Sequence, residues 1–173
     1  ADPKAKRFAE NFSVQWLGIS KLTENQPLLD PVEFPGFDTT IRKALYRETV
    51  EYFYYVLTKS KNMLELINSN YTFLNKELAD YYGIPGVTGE DLQKIVLPDS
   101  TRGGVLGMGS VLATTSFPLR TSPVNRGKWV MEVLLGSPPP PPPPNVPALE
   151  ETGAATNGRV LTVRERMEEH RKN

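Results

Sequence analysis

The clearest hydrophobic pattern in the chain predicts an amphipathic helix over residues 38–59. Asp38 stands at the start as an N-cap, because its side chain can accept hydrogen bonds from the first free backbone N–H groups. The apolar positions then recur at helical spacing, which predicts one buried face. They are Tyr46, Val50, Phe53, Tyr54 and Leu57.

A preceding helix is predicted from Asp2 to about Leu22. Asp2 supplies an N-cap, and Pro3 occupies the first helical position, where no backbone donor is lost. Apolar residues such as Phe8 and Phe12 continue the helical spacing. Three prolines over residues 23–37 stop helix propagation and predict an irregular connection.

The middle of the chain predicts two short helices and then a linker. One helix begins at Asn62, and the other runs from about Thr72 to Tyr82. Gly83 follows at the position where a helix commonly ends in a left-handed residue. Residues 84–101 are interrupted by glycine and proline and predict a linker, with a short element of two or three turns at 90–95.

The last third predicts weaker helices separated by proline. The periodicity of residues 103–116 does not distinguish a helix from a strand, and we favour a helix. A further helix is predicted to begin at Ser122, to bury Val124 and to end at Gly136. Residues 138–144 are all proline and predict polyproline II, and residues 150–158 predict a mobile loop. Thr162 and Glu165 form a capping box that opens a charged final helix.

These elements predict a mainly α fold, in which a helical bundle is followed by a loosely packed helical segment with a polyproline II stretch. The pattern places the helical bundle at about residues 1–83 and the start of a second unit at Arg102. The chain begins Ala1-Asp2-Pro3, without an initiator Met or a signal peptide, and we expect it to be a piece of a longer protein.

Composition narrows the function classes. Twenty basic and twenty acidic residues cancel, which argues against non-specific binding to nucleic acid or to an anionic membrane surface. No apolar run reaches the ~20 residues of a membrane span. There is no cysteine, so these residues cannot form a disulfide, a thiolate metal site or a covalent haem attachment. The one histidine, His170, excludes an internal Ser-His-Asp triad. We therefore predict no catalytic, cofactor-binding or metal site made by this chain alone.

Two features could carry chemistry, and each has a structural alternative that we favour. The stretch 103–110 is rich in glycine like a phosphate-binding loop, but it lacks the Gly-Lys-Ser/Thr ending, and glycines that allow close backbone packing explain it better. Four acidic side chains could supply a glycosidase pair, but we predict that they face solvent in ordinary helical phase. They are Glu48, Glu51, Glu77 and Asp80.

The remaining candidates are contact surfaces. A dense set of tyrosines and phenylalanines is typical of a core, with a ligand-stacking cleft as the alternative. The proline run is either a stiff spacer or a ligand for a proline-binding domain, and the mixed charges of the final helix favour a solvated face. We select five residues as possible interface positions: Tyr54, Tyr81, Tyr82, Trp129 and His170. His170 would be a metal or haem ligand only if further ligands came from outside the chain.

An ordered series of strings resembles the large secreted cytochrome-like proteins of planctomycetes, in which a domain of unknown function precedes a c-type cytochrome-like domain. The strings include Phe8-Ala9-Glu10, Trp16-Leu17-Gly18, Tyr71-Thr72-Phe73-Leu74-Asn75, Arg102-Gly103-Gly104-Val105-Leu106, Arg126-Gly127-Lys128-Trp129-Val130, Leu161-Thr162-Val163-Arg164 and Glu169-His170-Arg171.

The resemblance implies that residues 1–98 are the C-terminal part of the helical domain of unknown function and that residues 99–173 are the start of the cytochrome-like domain, without its haem site. In that family a Cys-x-x-Cys-His haem site soon follows the Glu-His-Arg helix. The resemblance therefore implies a periplasmic or extracellular location, haem c in the intact protein, and a haem domain that follows this chain as its partner. It implies for this chain a non-catalytic structural role in a protein related to electron transfer. The alternatives are part of a hydrolase or carbohydrate-binding module with an aromatic cleft, or a polyproline interaction module.

Overall fold

A computed structural model of the protein describes residues 2–59, 61–99, 102–141 and 161–171. The described residues form seven α-helices and one two-stranded sheet, which confirms the prediction of a mainly α fold. They divide into a compact unit, Ala1–Pro138, and a second unit, Pro139–Asn173, and each is described by itself.

Helix α1 spans Pro3–Leu17 and is shorter than predicted. Its N-cap is Asp2, whose carboxylate accepts the Lys4 backbone N–H at 2.8 Å. The helix ends at Leu17 rather than about Leu22, because Gly18 takes the left-handed conformation that closes a helix. A short 3₁₀ helix, Ser20–Thr23, follows and places Leu22 in the core.

Helix α2 spans Thr39–Thr58 and confirms the strongest sequence prediction. Two N–H groups of its first turn donate to the Asp38 carboxylate at 2.8 and 2.9 Å. The prediction of one buried face is wrong in its extent, because α2 packs against α1, the sheet and two later helices and is buried on several sides. Leu57, predicted to be inside, is 41% exposed, whereas the polar residues Arg42, Glu48 and Thr49 are buried.

The sheet was not predicted. Strand β1, Tyr71–Leu74, pairs antiparallel with strand β2, Gln93–Val96, so that Thr72 lies opposite Ile95. The predicted helix from Thr72 is therefore wrong over residues 72–75, and the helical element expected at 90–95 is wrong, because residues 93–96 form a strand. Helix α3 spans Lys76–Tyr82 and begins only after Asn75, whose side chain accepts the Leu78 N–H at 3.0 Å. Its predicted end at Gly83 is confirmed.

Two short helices occupy the glycine-rich stretch and confirm the preference for helix there. Helix α4 spans Gly104–Gly107 and helix α5 spans Gly109–Thr114, with an extended residue, Met108, between them. Gly104 has a positive φ of 65°, and a Cβ at this position would lie 2.3 Å from the Ile67 carbonyl oxygen. The glycine is therefore required for close backbone packing, as expected.

Helix α6 spans Pro123–Trp129 and continues as a π-helical turn, Val130–Leu134. Val124 is 57% exposed, so the prediction that it is buried is wrong. Two tryptophans join this segment to α1: Trp129 Nε1 donates to the Leu17 carbonyl and Trp16 Nε1 donates to the Val133 carbonyl, both at 3.1 Å. The end of α1 and the end of α6 are thereby fixed to each other.

In the second unit, helix α7 spans Val163–His170. The predicted capping box is present, because the Glu165 carboxylate accepts the Thr162 N–H at 2.8 Å and the Glu165 N–H donates to the Thr162 hydroxyl at 3.3 Å. Residues 142–160, with part of the proline run and the predicted mobile loop, lie outside the described residues. Within the described ranges, no helix is long and apolar enough to cross a membrane.

Candidate functional site

Glu48 is an acidic side chain placed entirely inside the fold. It lies on α2 in the same helical phase as Leu45 and Tyr52, which are buried, and is itself only 1% exposed. Its two carboxylate oxygens accept different hydroxyl groups, from Thr72 on β1 and from Tyr82 at the end of α3, each at 2.6 Å. A buried carboxylate needs such partners because it has lost its hydration.

Burial raises the pKa of Glu48 from 4.5 to about 7, although the hydrogen bonds from Thr72 and Tyr82 and the charge of Arg102 act in the opposite direction. Desolvation thus outweighs the favourable contacts, since it penalises the charged form of the group. The pKa of the Tyr82 hydroxyl is also raised, first by burial and then by the adjacent Glu48 carboxylate. Tyr82 therefore remains a hydrogen-bond donor to Glu48 at neutral pH.

Tyr82 joins Glu48 to the glycine-rich stretch. Its hydroxyl accepts the Gly109 backbone N–H at 2.9 Å while it donates to Glu48. A Cβ at Gly109 would lie 2.6 Å from Leu45 Cδ2 and 3.0 Å from the Tyr82 hydroxyl, so only glycine fits without displacement. The Arg102 guanidinium lies over the Tyr82 ring, 4.1 Å from its centroid.

A second buried polar contact lies beside this network. The hydroxyls of Thr49 on α2 and Ser110 on α5 are 2.7 Å apart, and both residues are buried. Hydrogen bonds between buried groups hold their elements in one relative position, because a shift would leave a polar group without a partner. Helices α2 and α5 are therefore fixed to each other through Tyr82 and through this pair.

A cleft of about 280 Å³ lies next to Tyr82. Most of its wall is apolar, and its polar side chains are arginines, hydroxyls and tyrosines; among the described residues, no acidic side chain lines it. The apolar wall consists of Leu29, Phe34, Phe37, Leu45, Leu112 and Ala113. The polar lining consists of Tyr81, Tyr82, Arg102, Ser116, Thr121 and Arg126.

The four acidic residues considered for a glycosidase pair have separate environments. Glu77 and Asp80 are exposed, as predicted, and Asp80 forms an ion pair with Lys76 at 2.5 Å. Glu51 lies 3.5 Å from Lys6. Glu48 is buried with two hydroxyl partners, so the prediction that it faces solvent is wrong. Glycoside hydrolysis needs two carboxyl groups facing one bond, and these residues do not share the cleft.

The predicted interface residues fall into different parts of the molecule. Tyr81 and Tyr82 both line the cleft, whereas Tyr54 packs partly buried against the core and Trp129 is occupied by its contact with Leu17. His170 lies at the end of α7, and its side chain is outside the described part of the chain. Their role as an interface stays a prediction.

Most of the other aromatic residues form a core cluster, as expected. Tyr52 and Tyr55 on α2 pack against Tyr71 and Phe73 on β1, with ring centroids 5.4–6.4 Å apart.

Sequence reasoning named Glu48 but placed it in solvent, and it did not select Arg102 or Arg126 as site residues. The position of Glu48 could have been found, because Leu45, Glu48 and Tyr52 follow one another at helical spacing on α2. The two arginines lie on separate elements, and their approach to one cleft depends on the tertiary fold.

Comparison with known proteins gives two matches to family models. Residues 1–84 match PSD4, described as a protein of unknown function (DUF1592), and residues 102–173 match PSCyt3, described as a protein of unknown function (DUF1588). The chain is similar to two domains of unknown function. Their names suggest planctomycete-type, cytochrome-associated domains, in agreement with the resemblance seen in the sequence. No curated protein and no solved structure matches the chain.

Proposed function

We propose that the chain is a non-catalytic structural segment of a secreted protein that also carries a c-type haem domain and takes part in electron transfer. One observation carries this proposal. A single compact unit, Ala1–Pro138, contains both the residues similar to PSD4 and the residues similar to PSCyt3 that lie before Pro138. A compact unit of this kind would supply a rigid support for a domain that follows it.

The contacts between the two segments support this role because they are specific and buried. Thr49 and Tyr82 of the first segment bind Ser110 and Gly109 of the second. The two tryptophans exchange hydrogen bonds with backbone carbonyls of the opposite segment. Paired polar groups of this kind fix a single relative arrangement of the elements that carry them.

The haem itself would belong to the neighbouring domain. Covalent haem c needs two cysteine thiols, and this chain contains no cysteine. The name PSCyt3 and the resemblance of the final helix to those that precede a Cys-x-x-Cys-His motif support a haem domain as the partner. A periplasmic or extracellular location follows from the same proposal.

The proposal is tested on the full gene product that contains residues 1–173. We expect a Cys-x-x-Cys-His motif beyond residue 173, and covalent haem that persists on a denaturing gel and gives a c-type pyridine haemochrome spectrum. A Glu48→Gln variant should retain the haem and its rate of reduction, because Glu48 supports the fold only. A product without the motif and without covalent haem would refute the proposal.

A further inference from the structure

The cleft beside Tyr82 combines an apolar wall with two arginine side chains. Arg102 and Arg126 both line it, and among the described residues none of the side chains in its lining is acidic. Neither arginine has a described acidic side chain within ion-pair distance. Glu48 interacts electrostatically with Arg102 but does not line the cleft. The lining therefore favours an anionic ligand.

One nitrogen of the Arg126 side chain lacks a hydrogen-bond partner among the described residues. It lies on α6 and is partly buried, and its Nε atom is buried without a hydrogen-bond partner among the described residues. A buried donor that is left unpaired destabilises a fold by more than an average hydrogen bond stabilises it. An oxygen acceptor bound at Arg126 would remove this deficit only if it accepted the Nε–H group itself.

Arg102 is held in place while most of its donors stay available. Its guanidinium stacks over the Tyr82 ring at 4.1 Å, and its single described hydrogen bond is a long one, from Nη1 to the Gly107 carbonyl at 3.4 Å. Stacking fixes the plane of the group without using its N–H donors. A planar guanidinium with free donors matches the two oxygens of a carboxylate.

The rest of the cleft suits an apolar body. Phe34, Phe37 and Leu112 form part of its wall, and Tyr81 is 42% exposed beside them. A cavity of about 280 Å³ is slightly below the range of roughly 300–1,000 Å³ that holds drug-sized ligands. It therefore suits a single ring with a short chain, and aromatic walls favour an aromatic ring.

We propose that this cleft binds a small aromatic carboxylate, with the carboxylate at Arg102 and Arg126 and the ring against the phenylalanines. The cleft lies entirely within the unit Ala1–Pro138 and does not depend on the proposed haem domain. The binding test of this cleft and the haem test of the proposed function can therefore fail independently of each other.

The test is a titration of the intact chain with 3-phenylpropionate, followed by calorimetry and by ¹H–¹⁵N NMR. We expect saturable binding, with chemical-shift changes at the backbone of Tyr81, Gly109 and Ala113. The matched neutral probe is 3-phenylpropanamide, and acetate and inorganic phosphate test the charged group without the ring. All three should bind at least tenfold more weakly.

Variants then locate the site. Arg126→Gln should weaken the binding of 3-phenylpropionate about tenfold, since one charge-assisted contact is lost. Lys128→Gln, an exposed position on the same helix, is the matched control and should bind like the wild type. If Arg126→Gln does not fold, Ser116→Leu tests the same site, because it reduces the cleft at a lining position and keeps both arginines.

Four results would overturn the proposal. They are the absence of saturable binding, equal binding of the neutral amide, equal binding of inorganic phosphate, and unchanged binding in folded Arg126→Gln or Ser116→Leu. The second result would indicate an apolar site, and the third a general anion site.

Discussion

At the scale of single residues, Glu48 links the stability of the fold to pH. Its pKa is raised by burial from 4.5 to about 7, so the folded protein holds this proton more tightly than the unfolded chain does. The contribution of Glu48 to stability is therefore greatest below pH 4.5, and it is lost as the pH rises through about 7. The shift corresponds to about 3 kcal/mol.

The prediction is that Glu48→Gln removes this pH dependence. Between pH 4 and pH 8 the free energy of unfolding of the wild type should fall by about 3 kcal/mol more than that of the variant. Urea unfolding at each pH measures the difference. Glu77→Gln, which replaces an exposed carboxyl group on α3, serves as the control and should follow the wild-type curve. Parallel curves for the wild type and Glu48→Gln would show that Glu48 does not titrate as described.

Glu48 also shows what can be predicted for one residue. The phase of α2 is sufficient to place it beside Leu45 on a buried stripe, so its burial was available from the sequence. Its partners were not, because Thr72 and Tyr82 are brought to it by a strand and a later helix. Tyr81 and Tyr82 are among the predicted interface positions, but the cleft that they line also needs Arg102 and Arg126 from distant positions.

At the scale of elements, the approach of α5 to α2 depends on the absence of a side chain at Gly109. Gly109→Ala would place a Cβ against Leu45 and the Tyr82 hydroxyl. We expect a loss of about 1–3 kcal/mol of stability, as for other overpacked cores. Chemical denaturation monitored by circular dichroism measures it.

The matched control is Gly127→Ala on α6, where an added Cβ meets no atom within 4 Å. Alanine has the higher helix propensity, so this variant should be as stable as the wild type or up to about 1 kcal/mol more stable. Equal stability of the two variants would mean that α5 does not approach α2 as closely as the structure shows.

Local patterns predicted the elements with clear caps and failed where pairing partners are distant. Asp38 and Gly83 marked the start of α2 and the end of α3, because capping depends on neighbouring residues only. Residues 71–74 are buried at every position, and such a run has no alternation to distinguish a strand from a helix. Its assignment is decided by pairing with residues 93–96, which the sequence pattern does not reveal.

At the scale of the whole molecule, one compact unit, Ala1–Pro138, contains the segment similar to PSD4 and the part of the PSCyt3-like segment that precedes Pro138. Helix α5 supplies Ser110 and Gly109 to partners on α2 and α3, and the end of α6 binds the end of α1. The domain boundary predicted near residue 98 stays a prediction. Within Ala1–Pro138, the contacts favour cooperative unfolding, because unfolding of either segment alone would leave buried polar groups of the other without hydrogen-bond partners.

Native-state hydrogen exchange measured by NMR tests this single body most directly, because it gives an opening free energy for each amide. The probes are the amides of Thr49 and Phe53 on α2 and of Leu112 and Thr115 at α5, all of which lie in or beside buried helix. The slowest amides of both helices should exchange with the same free energy, within about 0.5 kcal/mol, equal to that of global unfolding. A free energy for α5 that is lower by several kcal/mol would contradict a single cooperative unit and remove the main support for the proposed structural role.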